Sequence, residues 1–126
     1  MMGRVVIKRI YEQPMPEDDY RILVDRLWPR GVSKEEAHLD LWLKEITPSP
    51  ELRIWFDHDP ALFPAFREKY RAELAAMPEV VAKIATLAKS HDITLLYAAK
   101  DPKVNHAIIL KEYLQEQGIG AGGGEA

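Results

Sequence analysis

The sequence predicts a small single α/β domain, an open and mainly parallel sheet with helices packed on it. Three observations carry that expectation. The run Ile93 to Ala99 (ITLLYAA) is almost continuously apolar, the pattern of a central strand covered on both faces. It leads through a short loop into Lys103 to Gln117, where Val104, Ala107, Ile108, Leu110 and Leu114 supply the apolar side of a closing helix. Strand-like segments are mixed with helical ones along the rest of the chain, which implies layered α/β packing.

Arg4 to Tyr11, with Val5, Val6, Ile7, Ile10 and Tyr11, reads as a first strand. Glu12 to Asp19 holds Pro14, Pro16 and two aspartates and reads as a loop. Tyr20 to Asp25 (YRILVD) is a second strand. The link between them is short for a parallel crossover, so the two strands are either antiparallel neighbours or parallel and not adjacent. Ser33-Lys34-Glu35-Glu36 has the form of a capping box and opens a short helical turn. Leu39 to Ile46 (LDLWLKEI) fits both periods, and its first half is expected to be strand.

Ser49-Pro50, Asp59-Pro60 and Asp101-Pro102 each place a capping residue before proline at a first helical position. The helix after Asp59 carries Phe66, Tyr70 and Leu74 at a spacing of four, a core stripe. Pro64 would cost a backbone bond inside it, so the regular helix is expected to begin near Phe63. Pro78 starts the next helix, with Val80, Val81, Ile84, Leu87 and Ala88 inward. The domain is expected over residues 1–118, with Gly118 ending the last helix and residues 119–126 forming a flexible glycine-rich tail.

The 126 residues are 47% hydrophobic and 29% charged, an ordinary globular composition. Seventeen Lys and Arg face twenty Asp and Glu, a net charge of -3. That balance disfavours nucleic acid as a partner, while leaving room for a local basic pocket. The chain has no cysteine, which excludes disulfides, thiol catalysis and cysteine-ligated metal centres. No apolar run approaches the roughly 20 residues of a membrane span, so no membrane partner is expected. The start, Met1-Met2-Gly3-Arg4-Val5, lacks the apolar segment of a signal peptide, and the expected location is the cytoplasm. Asp57-His58-Asp59 suggests a metal cluster at first sight. Adjacent residues rarely aim at one ion, however, and Asp59 is needed as a cap, so neither a metal nor a cofactor is expected.

In open α/β sheets, ligands bind outside the carboxyl ends of the strands. Two such ends are legible. One exits into Asp25-Arg26-Leu27-Trp28-Pro29-Arg30-Gly31, the other into Lys100-Asp101-Pro102-Lys103-Val104-Asn105-His106. If the strands are parallel, both loops meet at one edge of the sheet. Arg26, Arg30 and Lys100 would then surround a helix N-terminus whose free N–H groups come from Lys103 and Val104, an anion site. Asp101 and Asn105 belong to the same ligand-binding set. His106 is the candidate proton carrier near neutral pH, and Asp25 the group that orients an arginine or a water. The competing structural reading makes Asp101 a helix cap, Trp28 a packing residue and Asp25 an internal partner of an arginine.

The strings YRILVDRLWPRGVS (20–33), LDLWLK (39–44) and TLLYAAKDPKVNH (94–106) resemble the YeaO-like branch of a bacterial and archaeal domain-of-unknown-function family. The resemblance covers nearly the whole chain apart from the tail. It implies a small α/β domain with a mainly parallel sheet, and it supplies no activity. Longer relatives carry the Asp, Arg, Pro and Arg that fall here on Asp25, Arg26, Pro29 and Arg30. Many carry Cys-His-Arg at the opening of the last helix, where this chain has Asn105, His106 and Ala107. That departure puts a thiol mechanism out of reach and leaves the positive charge to Lys100 and Lys103.

The function expected from these readings is a positively charged pocket for a small phosphate- or carboxylate-bearing molecule. Catalysis would be hydrolysis or transfer, with His106 moving a proton and the cations stabilising charge. The alternatives are a ligand- or partner-binding module without chemistry, and a nucleic-acid-binding regulator.

Overall fold

Four strands form one parallel sheet in the computed structural model, which describes residues 3–120. They are β1 (Val5–Arg9), β2 (Tyr20–Leu23), β3 (Leu41–Trp42) and β4 (Ile93–Tyr97), in the spatial order β1-β4-β2-β3. The apolar run therefore occupies an interior position, and every residue of β4 is buried. Its register sets Val5 opposite Ile93 on one side and Tyr20 opposite Ile93 on the other. Of the two ways to join the first strands, the chain takes the second. β1 and β2 are parallel, and β4 lies between them. β2 ends at Leu23, two residues short of the expected Asp25, because β3 and β4 pair no further along it.

The helices are α1 (Lys34–Ala37), α2 (Pro50–Phe56), α3 (Phe63–Ala75), α4 (Pro78–Ala88) and α5 (His106–Glu116). The capping box is present: Ser33 Oγ accepts from Glu36 N–H at 3.0 Å, and Ser33 N–H donates to Glu36 Oε1 at 2.9 Å. Ser49 caps α2 by accepting from Leu52 N–H, and the Glu73 carboxylate holds Ser49 through its N–H and hydroxyl. Asp59 caps only a 3-10 turn, Pro60–Leu62, after which α3 begins at Phe63. Pro64 thus falls where its missing N–H breaks no helical bond.

Strand alternation divides the core in two. Ile22, Val24, Ile93, Leu95 and Tyr97 face the layer of α2 to α5, against Phe66, Tyr70, Leu74, Ile84, Ile109 and Leu110. Ile10, Leu23 and Leu96 face the other way and are covered by Ala37, Trp28, Val32, Leu39 and Trp42. The two indoles meet edge to face at 5.3 Å, and each N–H donates to a backbone carbonyl, Val32 for Trp28 and Asp25 for Trp42.

Two expectations need correction. The last helix starts at His106 and not at Lys103, with Asn105 as its cap. Asp101 does not cap it: its Oδ1 accepts from Lys103 and Val104 N–H and closes a local turn. The first two residues assigned to the tail are also packed, not loose. Ile119 is buried, and the Gly120 carbonyl accepts from Val5 N–H at 3.3 Å. The remainder of the expected tail, 121–126, lies outside the described residues. Among the described residues no helix is long and apolar enough to cross a membrane.

Candidate functional site

Because every strand runs the same way, the segments leaving β2 and β4 emerge at one edge of the sheet. They bond to each other there. Asp25 Oδ2 accepts from Ala98 N–H at 2.8 Å, and His106 Nε2 lies 2.6 Å from the Val24 carbonyl. A cleft of about 700 Å³ opens at this edge. Asp25, Arg26, Arg30, Asn105 and His106 line it. The cleft does not include Lys100, Asp101 or Lys103, all three of which are exposed. The N–H groups of Lys103 and Val104, the donors expected to meet an anion, already bond to the Asp101 carboxylate.

Asn105 is buried with both ends of its amide used. Oδ1 accepts from Ile108 N–H at 3.0 Å, and Nδ2 donates to the Asp101 carbonyl at 2.9 Å. It is fixed as a helix cap.

His106 is the first residue of α5. A carbonyl can only accept, so the proton of the neutral ring sits on Nε2 and the lone pair on Nδ1. Asp25 Oδ1 is 3.3 Å from the same Nε2, and the Tyr70 ring meets the imidazole edge-on at 6.2 Å. Tyr70 is anchored by its hydroxyl, which donates to the Ile46 carbonyl at 2.6 Å. Burial lowers the His106 pKa below its ordinary 6.5, outweighing the upward pull of Asp25 and of the Val24 carbonyl. Burial likewise pushes Asp25 above its ordinary 3.8, against His106, the Ala98 N–H and the Arg53 charge. The imidazole is therefore neutral at pH 7. It can accept a proton or a hydrogen bond at Nδ1, and no cysteine exists anywhere in the chain to serve as its nucleophile.

Arg26 is half-buried. Its Nη2 donates to the Pro48 carbonyl at 3.2 Å, while its buried Nε has no acceptor among the described residues. Arg30 is exposed, and its carbonyl accepts from the Tyr11 hydroxyl at 3.0 Å, which ties its loop to the end of β1.

Sequence reasoning missed Arg53, Asp57 and His58, which line the cleft from α2 and the turn after it. Asp57 and His58 both adopt left-handed backbone, at φ 46° and 57°. Aspartate and histidine are among the residue types enriched in that conformation, so the Asp-His-Asp string carried a signal for this turn that was read only as a metal motif. Arg53 directly follows the buried Leu52 on a helix whose cap was legible, so its exposure could have been inferred. Three guanidinium groups thus face the cleft with two carboxylates, one of which, Asp25, is engaged with Ala98 and His106.

A family model described as "Inactive DUF488-N3 subclade" matches residues 4–121. The chain is 48% identical over 108 residues to "Uncharacterized protein YeaO" of Escherichia coli (strain K12), covering 86% of this chain and 94% of that one. It is 35% identical over 111 residues to "Uncharacterized protein Rv3073c" of Mycobacterium tuberculosis (strain ATCC 25618 / H37Rv), covering 88% and 93%. "Uncharacterized protein Mb3100c" of Mycobacterium bovis is similar to the same extent. No solved structure matches the chain.

Proposed function

The chain belongs to the inactive DUF488-N3 subclade, a YeaO-like domain family of unknown function. From the chemistry of its cleft we propose that it binds a small phosphate- or carboxylate-bearing molecule there without turning it over. The observation that carries the reading is the Arg26 guanidinium. One nitrogen is fixed by Pro48, another is buried without an acceptor, and Arg30 and Arg53 line the same cleft. The Arg26 Nε itself has no accessible surface, so an oxyanion in the cleft meets Arg26 through the charge of its guanidinium and takes charge-assisted hydrogen bonds from the exposed Arg30 and Arg53.

Two features favour binding over turnover. Asn105 has no reactive group and is locked as a cap. His106 has its Nε2 proton committed to a backbone carbonyl, with no hydroxyl or thiol bonded to the ring among the described residues.

Thermal melting in inorganic phosphate and in a nucleoside monophosphate, at constant ionic strength, tests the reading. Ligand at ten times its Kd adds about 1.4 kcal/mol, a rise of roughly 5 °C for a chain of this size. Arg26→Ala is expected to flatten that response. A wild-type melting temperature that ignores every oxyanion overturns the proposal. Release of inorganic phosphate from a phosphomonoester, lost in His106→Gln, would restore the catalytic alternative.

A further inference from the structure

The cleft is far larger than an inorganic oxyanion, and its rim is the wrong chemistry for one. A volume of about 700 Å³ lies in the range that organic ligands fill. Among the described residues, the large apolar side chains left exposed are Val6, Tyr11, Met15, Leu27, Ile54 and Trp55. Three of these, Tyr11, Leu27 and Ile54, line this one cleft. Leu27 is 68% exposed and Ile54 79% exposed, unusual values for aliphatic side chains beside a concave surface. The floor adds aromatic faces: Phe56 and Phe66 are buried, line the cleft and stack at 4.0 Å between ring centroids. Apolar rim, aromatic floor and arginines thus share one space, and each needs a different part of a ligand.

We infer that the ligand is an aromatic oxyanion, with its phosphate or carboxylate directed to Arg26 and Arg30 and its ring against Leu27 and Ile54. This rests on the anion-binding reading above and adds the chemical class of the attached group. The ring shields the two aliphatic side chains from water, while the charge meets the guanidinium groups of Arg26 and Arg30 along the same cleft. A bare oxyanion gains only the second of these. The ring's advantage is expected to be at least tenfold in affinity, about 1.4 kcal/mol, which about 55 Å² of newly buried apolar surface supplies.

The experiment compares inorganic phosphate, phenyl phosphate and benzyl alcohol by calorimetric titration of the full chain. Phenyl phosphate is expected to bind at least tenfold more tightly than inorganic phosphate, and benzyl alcohol not detectably. In the double variant Leu27→Ser, Ile54→Ser, the ratio of the two phosphate affinities is expected to fall to about threefold or less. Both side chains are exposed, so the variant is expected to fold, and its circular dichroism checks that. Equal binding of the two phosphates by wild type overturns this inference and leaves the anion reading intact. An undiminished ratio in the double variant overturns the placement of the ring. Binding of neither phosphate, nor of benzoate titrated in the same way, overturns both readings, and benzyl alcohol binding as well as phenyl phosphate overturns the role of charge.

Discussion

Two aspartates bracket β2, and the molecule treats them in opposite ways. Asp18, just before the strand, is 6% exposed and surrounded by donors. Its carboxylate accepts from Lys8 Nζ at 3.0 Å, from Met15 N–H at 3.0 Å and from the Arg21 guanidinium. Arg21 is itself buried and donates onward to the carbonyls of Ala37 and His38. Burial pushes the Asp18 pKa up, but the Met15 N–H and the Lys8 and Arg21 bonds together hold it below its ordinary value. Asp25, just after the strand, has one backbone N–H and a neutral imidazole, and there burial prevails. A compensated charge locks the amino end of the sheet. An under-compensated one remains at the carboxyl end, where the cleft opens, and such perturbed groups cluster at functional sites.

The largest test of that contrast is Asp18→Ala. It leaves Lys8 and Arg21 against each other without a counter-charge, and a loss of about 3–5 kcal/mol is expected in urea unfolding. A loss under about 1 kcal/mol would show that the network does not hold this end. Asp25→Ala removes the acceptor of Ala98 N–H but also a charge that burial opposes, so about 1–2 kcal/mol is expected. Equal losses at the two positions would erase the distinction.

Acidity sharpens it further. The folded His106 value lies below 6.5, so the unfolded chain takes up a proton that the folded one refuses. Its contribution is full above about 6.5 and is lost as pH falls through that value, by at most about 1.4 kcal/mol per pH unit. Asp25 works in the reverse sense, since its raised value makes the ionised form costly as pH climbs from 3.8 through the folded pKa. Melting at pH 7.5 and 5.5 should therefore fall more steeply for wild type than for His106→Gln. Parallel slopes for the two proteins would remove the imidazole from this account. The smallest effect on stability belongs to Arg30→Ala, within about 0.5 kcal/mol because the side chain is exposed. The same variant is expected to weaken the phosphate-dependent rise in melting temperature, and an unaltered rise would place the anion elsewhere.

Much of this architecture was legible because it is local. Ser33 with Glu36, and Ser49 before Pro50, announce their helices through bonds spanning three residues. The apolar run of β4 announced an interior strand, and parallel strands then required the two loops to share an edge. Asp101-Pro102 misled because two capping residues stand four apart. Asp101 closes a turn of its own, while the buried Asn105, bonded to the Asp101 carbonyl, starts the helix. Sequence propensity cannot rank two such caps when burial decides between them. The Lys8 bond to Asp18 was missed because it joins β1 to the turn before β2, and the Arg53 wall because it is placed by the packing of α2 beside the cleft, although Asp18 and Arg21 themselves stand only three residues apart.

The bond from Val5 N–H to the Gly120 carbonyl sets the first strand beside the last described residue. Gly120 has φ +74°, and a Cβ there would stand 2.1 Å from a Val5 methyl, so the chain can close this tightly only at glycine. β1 and Gly120 therefore form a seam. A circular permutant spliced across that seam with a short linker, and reopened at the exposed Ala76 between α3 and α4, should keep the same strand order. Loss of cooperative melting in such a rearranged chain would mean that connectivity here matters more than adjacency.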